Sequence, residues 1–264
     1  MITNENVLIT GSRAPVALDL ARNFKKNGYN VFCADSIKHP LCRFSNSCIR
    51  SFQVTSPRQN PEKYILELVS LCIAHRIKFI IPTCEEIFYL SKFKEYFLGI
   101  AEIFVDDYSK LRILHSKWDF ISLLQSMNKE APKSWLIQNL EDLKDISLRP
   151  LILKPVFSRF GMNIHLIKEN EDFPSIDPSE NYPWIAQEYL PGRVWCSYSV
   201  VKEGQVSLHT NYSSDFKVQN GASILFEHTP IPFIEEWLKK VVIEIKISGQ
   251  IDFDLIQIEN DKYV

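Results

Sequence analysis

The chain has 264 residues, 45% of them hydrophobic and 23% charged, with a formal net charge of −2 and a pI near 6.3. This is globular composition, enough for one large domain or two to three small ones, and its balanced charge predicts no attraction to nucleic acid or an anionic membrane. We expect a soluble cytoplasmic protein, because the first residues lack a signal-peptide pattern and no apolar run reaches the roughly 18 residues that span a bilayer.

The first hundred residues predict alternating strands and helices. A short apolar strand at Asn6–Thr10 is followed by Gly11 and by apolar residues at helical spacing, and a second strand ends at Asp35. A helix over 61–75, the strand KFIIP, a helix over 85–97 and the strand EIFV continue the alternation. Such a series is typical of a parallel sheet covered by helices.

The composition changes near Tyr108, and the pattern that follows predicts antiparallel sheet and a few helices. Two short helical segments, SKLRILHS and KWDFISLLQSM, come first. The predicted strands then lie at 133–138, 151–154, 162–167, 184–189, 195–201 and 205–211, with an acidic surface connection over 168–183. A helix over 233–247 and the strand QIDFDLIQIEN complete the pattern.

The six cysteines are dispersed, with no C-x-x-C pair among them, and the histidines are equally isolated. None of them has the spacing of a zinc site. We therefore expect free thiols in a reducing compartment.

The turn after the first strand, TGSRAPVALDLA, resembles a dinucleotide-binding turn only in its position. It lacks the G-x-G-x-x-G that lets a backbone approach a pyrophosphate. Its single glycine is typical of an ordinary turn, and the alternative is a helix N-terminus that faces an anionic group. The segment argues against an NAD(P)-binding protein.

Two lysines carry the clearest chemistry. Lys154 ends an apolar strand in LILKPVFSRFG and precedes Pro155 and a loop, where a lysine suits phosphate oxygens. The loop has too few glycines for a Walker A motif. Lys117, in HSKWDF near the start of a helix, would be a second cation. Either lysine taken alone also fits an ordinary surface position.

Two further segments could complete a nucleotide site. WIAQEYLPGRVW, Trp184–Trp195, is an apolar strand with polar residues at its end, which suits a nucleobase, although a plain strand and turn is the alternative. In IDFDL, Asp252 and Asp254 share one face of a strand. Paired carboxylates suit a Mg²⁺ ion that bridges phosphates, and ordinary buried or edge polar residues are the alternative.

In this order, these segments resemble the ATP-grasp superfamily, especially members similar to the carbamoyl-phosphate synthase large chain. VLITGSRAPVALDLARNFKKNGYNVFCADS and IPTCEEIFYLSKF look like the N-terminal sheet domain of that group, and LHSKWDF, LILKPVFSRFG, WIAQEYLPG and GQIDFDLI follow in family order. The resemblance implies an α/β and α+β fold. A Rossmann-like parallel-sheet domain over 1–108 would precede an ATP-grasp module with a small lid subdomain over 109–182 and a large subdomain over 183–264.

The resemblance also implies an activity. Such proteins use ATP and Mg²⁺ to phosphorylate a small-molecule carboxylate, and an amine or similar nucleophile then attacks the acyl phosphate. An ATP-dependent carboxylate–amine ligase is therefore expected. Relatives often dimerise through the N-terminal domain, so a homodimer is a further expectation.

Carried over residue by residue, the resemblance implies that Lys117 and Lys154 contact ATP phosphates and that Asp252 or Asp254 binds Mg²⁺. The other positions carried over are Ser158, Arg159 and Gly161 in the covering loop, Ile152 in the adenine slot, and Gln187, Glu188, Tyr189 and Leu190 at its edge and hinge.

The sequence departs from the family pattern in three places. Phe160 stiffens a loop that is usually richer in glycine, and Arg193–Trp195 stand where a ribose-binding glutamate is common. The family's Glu-x-Asn metal site would follow Val264. We therefore expect an ATP-grasp module that lacks its C-terminal end, as a piece of a longer protein. A degenerate metal site, and with it a non-catalytic nucleotide-binding module, is the alternative.

Glu85 and Glu86 follow a predicted parallel strand, at the sheet edge where such folds place ligands. A carboxylate there could hold a substrate amine. The alternative is a negative charge that complements the dipole at a helix N-terminus.

Overall fold

The computed structural model describes residues 4–158, 163–215, 223, 225–259 and 262–264. The chain forms two compact units, Met1–Tyr108 and Ser109–Val264. The further division of the second unit near residue 182 stays a prediction.

The first unit is a parallel sheet with helices in its crossovers. Its strands are β1 (Asn6–Thr10), β2 (Asn30–Asp35), β3 (Arg50–Gln53), β4 (Ile77–Ile81) and β5 (Glu102–Ile103). Its helices are α1 (Pro15–Lys26), α2 (Pro61–Ala74) and α3 (Glu86–Lys92), with short 3₁₀ turns at Leu41–Phe44 and Lys94–Phe97. The strand order is β3-β2-β1-β4-β5, and every described pair in the sheet is parallel.

The apolar run of β1 is buried on both sides of this sheet. Successive side chains of a strand point to opposite faces, so Val7 and Ile9 pack in the cluster with Ala17 of α1, while Leu8 packs in the cluster with Leu68 of α2. A central strand covered on both faces has to be continuously apolar, which explains the sequence NVLIT.

The second unit contains two antiparallel sheets. Its helices are α4 (Tyr108–His115), α5 (Lys117–Ser126) and α6 (Pro232–Ile245), with a 3₁₀ turn at Leu140–Leu143. The first sheet has the order β6-β9-β7-β8, from β6 (Ser134–Ile137), β7 (Leu151–Pro155), β8 (His165–Ile167) and β9 (Trp184–Glu188). The second has the order β11-β10-β12-β13, from β10 (Arg193–Lys202), β11 (Gln205–Ser213), β12 (Gly249–Glu259) and β13 (Lys262–Tyr263).

Helix α6 covers one face of the second sheet. Its apolar residues Ile234, Leu238 and Val241 are fully buried against a strand face that carries Phe253 and Leu255. Because side chains alternate along β12, Asp252 and Asp254 point away from α6. The amphipathic pattern of both elements therefore sets which face of the sheet is polar.

The structure differs from the sequence prediction in three places in the first unit, one of which is the strand predicted for EIFV: it is limited to Glu102–Ile103. The predicted helix over 85–97 ends at Lys92, and a separate 3₁₀ turn over 94–97 buries Phe97 in the core. The sequence prediction missed the edge strand β3, because RSFQ shows no apolar alternation. In the sheet, β3 pairs with β2 on one side and is open on the other, so its side chains stay partly exposed. In the described part of the chain, none of the helices is long and apolar enough to cross a membrane.

Candidate functional site

Strand register brings the polar residues of the first sheet of the second unit onto one face. Gln187 of β9 lies opposite Ser134 of β6 on one side and opposite Ile152 of β7 on the other. Lys154 is two residues beyond Ile152, on the same face, and diagonal neighbours of this kind lie within reach of long side chains. The opposite face, with Leu151 and others, packs in an apolar core.

Lys154 is a half-buried cation with a defined partner. Its Nζ donates a hydrogen bond of 2.8 Å to Oε1 of Gln187. Burial lowers the pKa of Lys154, and the nearby carboxylate of Asp254 in the second sheet acts in the opposite direction. An ammonium group that is partly desolvated and incompletely neutralised gains from contact with an anion.

Lys117 is the first residue of α5, directly after the N-cap Ser116, whose Oγ accepts a hydrogen bond from the Asp119 backbone. Its Nζ donates to the backbone oxygens of Val156 and Ser158 at 3.2 Å and to Ser158 Oγ at 3.0 Å. Burial, and then the charge of Lys154, lower the pKa of Lys117 to about 8. Since the helix dipole at this end also favours negative charge, the position attracts an anion.

Ser158 therefore lies beside Lys117, as part of the segment that follows β7. The other residues of the predicted covering loop, Arg159, Phe160 and Gly161, lie outside the described residues.

The two aspartates lie on the face of β12 that points away from α6. Asp252 is opposite Tyr198 and Asp254 is opposite Cys196 of β10. The charge of Asp254 acts on the pKa of Lys154, so these two groups of the second and first sheets lie near each other. Lys117, Lys154 and Asp254 come from α5, β7 and β12, and the fold brings them together.

The donor set suits a hard cation that is partly coordinated by a ligand. Within the described ranges, no group of three His, Cys, Asp or Glu side chains lies close enough together to hold a metal ion. Mg²⁺ is usually bound by one or two carboxylates, with water and substrate phosphates supplying the other oxygens. Asp252 and Asp254 fit that requirement.

The predicted hinge residues do not all lie on the lysine face. Glu188 follows Gln187 on β9 and so points to the other side, where its Oε1 accepts a hydrogen bond of 2.8 Å from the backbone N–H of Lys133. The backbone N–H of Tyr189 donates to the carbonyl of Pro150, and its side chain is exposed. Leu190 is partly buried.

Gly192, in the turn between β9 and β10, is required by close packing. A Cβ atom on this residue would lie 2.3 Å from the backbone oxygen of Gln257 in β12. Beside it, Arg193 pairs with Asp215 and its guanidinium lies 4.6 Å from the ring centre of Trp195. The site of the expected ribose glutamate is thus occupied by an exposed cation.

Glu86, at the start of α3 in the first unit, is buried, with 8% of its surface exposed. Its Oε1 accepts hydrogen bonds from Thr10 Oγ1 at 2.8 Å and from the backbone N–H groups of Thr83 and Cys84 at 3.1 and 3.2 Å. This carboxylate ties the end of β1 to the loop after β4. Glu85, in contrast, is exposed.

Asp35, at the end of β2, is held by the turn after β1. Its carboxylate accepts hydrogen bonds from the backbone N–H of Arg13 at 2.8 Å and from the Arg13 guanidinium at 2.5 and 3.2 Å. A dinucleotide-binding fold uses an acidic residue in this region for the ribose. Here the acidic residue, Asp35, is already paired with Arg13, which weakens the NAD(P) alternative further.

The sequence prediction missed Ser134, which lies beside Gln187 on the lysine face. Its Oγ accepts a hydrogen bond of 3.0 Å from Gln187 Nε2. A serine at the start of a strand has no local pattern that indicates such a role, because its partner is 53 residues away.

No protein-family model matches the sequence, and no curated protein is similar enough in sequence to be matched. The structure is similar to L-amino acid ligase from Bacillus licheniformis, with a TM-score of 0.71 and 14% identity over 99% of this chain and 67% of that one. It is also similar to N5-carboxyaminoimidazole synthetase from Staphylococcus aureus in complex with ADP, with a TM-score of 0.72 and 17% identity over 100% of this chain and 69% of that one.

A third similar structure is the biotin carboxylase domain of 2-oxoglutarate carboxylase from Hydrogenobacter thermophilus, in complex with MgADP, ADP and bicarbonate. The TM-score is 0.68 and the identity 14%, over 97% of this chain and 62% of that one. At these identities the comparisons establish the fold, and they confirm the fold class expected from the sequence.

Proposed function

We propose, from the ATP-grasp fold that this chain has, that it binds ATP between the lysine face of one sheet and the aspartate face of the other. The observation that carries the proposal is the convergence of Lys117, Lys154 and Asp254 from separate elements: the charge of Lys154 lowers the pKa of Lys117, and the charge of Asp254 acts to raise that of Lys154. Two adjacent lysines repel each other, and a triphosphate would remove that repulsion.

The residues have distinct roles in this proposal. Lys154 and Lys117 bind phosphate oxygens, and the dipole at the N-terminus of α5 adds to the attraction. Ile152 lines the adenine slot. Asp252 and Asp254 would hold Mg²⁺, which neutralises charge on the phosphates when it is bound.

We propose that the reaction is the ligation of a carboxylate to an amine. A substrate carboxylate oxygen attacks the γ-phosphorus of ATP, the bond to the β-phosphate oxygen breaks, and ADP leaves. An amine then attacks the acyl carbon, loses a proton and displaces inorganic phosphate. The lysines contribute by holding the phosphates in line and by stabilising the charge that develops on them.

Glu85 is the residue at the edge of the first sheet that remains a candidate for a substrate amine, because its side chain is exposed. The hydrogen bonds to Glu86 Oε1 favour a structural role for that carboxylate. A role for either residue in substrate binding is a hypothesis that substitution of Glu85 would test.

A non-catalytic nucleotide-binding module is the second candidate. The observation that favours it is the two-carboxylate set: among the described residues, no group of three His, Cys, Asp or Glu side chains could hold a metal ion. ADP release in the presence of a panel of carboxylates and amines distinguishes the two functions. Binding of ATP without turnover of any pair would favour the module.

Calorimetric titration with ATP, with and without Mg²⁺, tests the proposal directly. We expect binding to weaken about 10- to 100-fold in Lys154→Met and in Lys117→Met, since hydrogen bonds between charged groups contribute about 1.5–3 kcal/mol. Lys202→Met, at an exposed strand end, is the matched control and should bind as the unaltered chain does. Equal affinity in all three variants would refute the site.

A further inference from the structure

We infer that Gln187 is a positioning residue for the phosphate-binding Lys154, and that Ser134 sets its orientation. The inference rests on the proposed function. It differs from the role that the family resemblance implies for Gln187, which is to form the edge of the adenine slot.

The hydrogen bonds that link Lys154, Gln187 and Ser134 each have a defined direction. A lysine ammonium can only donate, so the atom of Gln187 that lies 2.8 Å from Lys154 Nζ has to be the amide oxygen. The amide nitrogen then points to the other side, where it donates to Ser134 Oγ at 3.0 Å. The Ser134 hydroxyl in turn donates to the backbone oxygen of Pro132 at 2.8 Å.

This chain of hydrogen bonds is defined at both ends. The Pro132 carbonyl can only accept, and the Lys154 ammonium can only donate. If the amide were reversed, its nitrogen would face the ammonium, and two donors would oppose each other in a half-buried site. Ser134 therefore fixes which atom Gln187 presents to the lysine.

Strand pairing holds Ser134 and Gln187 in place beside Lys154. Ser134 is opposite Gln187 in the β6–β9 pairing, and Ile152, two residues before Lys154, is opposite Gln187 in the β9–β7 pairing. Groups on paired strands are more rigidly placed than groups on loops. The amide thus holds a flexible lysine side chain in one position, which reduces the entropy lost when a phosphate binds.

The consequence is a specific pattern of affinities. A residue that positions a phosphate-binding lysine affects every ligand that carries the polyphosphate, whatever base is attached. A residue that reads adenine affects ATP and has no effect on inorganic tripolyphosphate, which lacks a base.

The experiment is calorimetric titration of Gln187→Met and Ser134→Ala with ATP and with tripolyphosphate. Methionine keeps the length of the side chain and removes the acceptor. We expect Gln187→Met to weaken both ligands by the same factor, about tenfold, and Ser134→Ala to weaken both by a smaller common factor of about threefold. In the Lys154→Met background, Gln187→Met should cause no further loss, because the lysine it positions is gone.

Gln257→Met is the matched control, since Gln257 is also a half-buried strand glutamine, which accepts a hydrogen bond of 2.9 Å from Trp195 Nε1. It should bind both ligands normally. As a readout without nucleotide, the labelling of Lys154 by an amine-reactive reagent should accelerate in Gln187→Met and Ser134→Ala and stay constant in Gln257→Met.

The outcomes separate the inference from the proposed function. If the unaltered chain binds neither ligand, the proposed function is refuted, and this inference with it. If it binds both but Gln187→Met weakens ATP alone, or leaves the labelling of Lys154 unchanged, the proposed function stands and the positioning role is refuted.

Discussion

The surroundings of Lys117 disfavour a positive charge on its side chain. It is partly buried, it is the first residue of a helix, and a second lysine lies near it. Each of these features disfavours the ammonium form. Strongly shifted pKa values of this kind cluster at functional sites, where a bound anion would supply the compensating negative charge.

The lowered pKa of Lys117 predicts how nucleotide binding depends on pH. The group is charged below its pKa of about 8 and loses its charge as the pH rises through that value. ATP affinity should therefore be highest below about pH 8 and fall by up to tenfold per pH unit above it. Calorimetry between pH 7 and 9.5 measures this.

Lys117→Met is the control for this pH dependence. Its affinity should be lower throughout and should vary much less over the same range. A profile identical to that of the unaltered chain would mean that Lys117 is not the titrating group.

Gly11 combines a left-handed backbone with close side-chain neighbours. Its φ is +64°, and a Cβ atom would lie 2.6 Å from Thr83 Oγ1 and 2.8 Å from Glu86 Oε1. Gly99 has a similar φ of +72° with nothing within 4 Å of its Cβ position. Substitution of Gly99 therefore tests backbone strain alone, whereas substitution of Gly11 tests the same strain together with steric overlap.

We expect Gly99→Ala to lower the free energy of unfolding by about 1–2 kcal/mol, from the left-handed backbone alone. Gly11→Ala should lower it by about 2–4 kcal/mol, because the overlap with Thr83 and Glu86 adds to the same strain. Urea unfolding followed by far-UV circular dichroism compares them. Equal losses would show that the loop after β4 moves to accept the methyl group.

At the scale of elements, the two-faced strand β12 connects stability and function. Alternate residues, Phe253 and Leu255, pack under α6, while Asp252 and Asp254 face the candidate site. A slip of one residue in register would exchange these faces. The apolar contacts with α6 therefore also set where the carboxylates point.

Helix α6 provides a test of this packing. Leu238 is fully buried and Ile243, on the same helix, is 52% exposed. We expect Leu238→Ala to lower the free energy of unfolding by about 2–5 kcal/mol, whereas Ile243→Ala should change it by about 0.5 kcal/mol or less. Similar losses in chemical denaturation of the two variants would contradict the assigned helix face.

At the scale of the whole molecule, each unit has its own core. The clusters around Leu8 and Val7 belong to the first unit, and those around Leu238 and Leu151 belong to the second. The tryptophans, five in number, all lie in the second unit, at positions 118, 135, 184, 195 and 237. Tryptophan fluorescence therefore reports on the unit that contains the lysines and aspartates.

Nucleotide should stabilise this second unit. At 100 times its dissociation constant, ATP should raise the free energy of unfolding by about 2.7 kcal/mol, seen as a shifted urea transition in tryptophan fluorescence. Hydrogen exchange of peptides from β1 and β4 follows the first unit in the same samples, and we expect little change there. Equal protection of both units would mean that the nucleotide also binds the first one.

The sequence by itself determined the order of the elements and the residues that carry charge in them. Apolar alternation predicted the two-faced strand with Asp252 and Asp254, and the strand–lysine–loop order singled out Lys154. These signals are local: they depend on the period of a helix or strand, which a short segment of sequence displays in full.

Only the tertiary structure decided which of these groups meet. It paired Gln187 with Lys154 and Ser134, took up the carboxylates of Glu86 and Asp35 in contacts within the first unit, and brought Lys117 to the start of the loop after β7. The physical reason is that these contacts depend on strand register and on packing between elements far apart in the chain. Residue periodicity carries no information about which distant elements come together. Folding brings their side chains within hydrogen-bonding distance of each other.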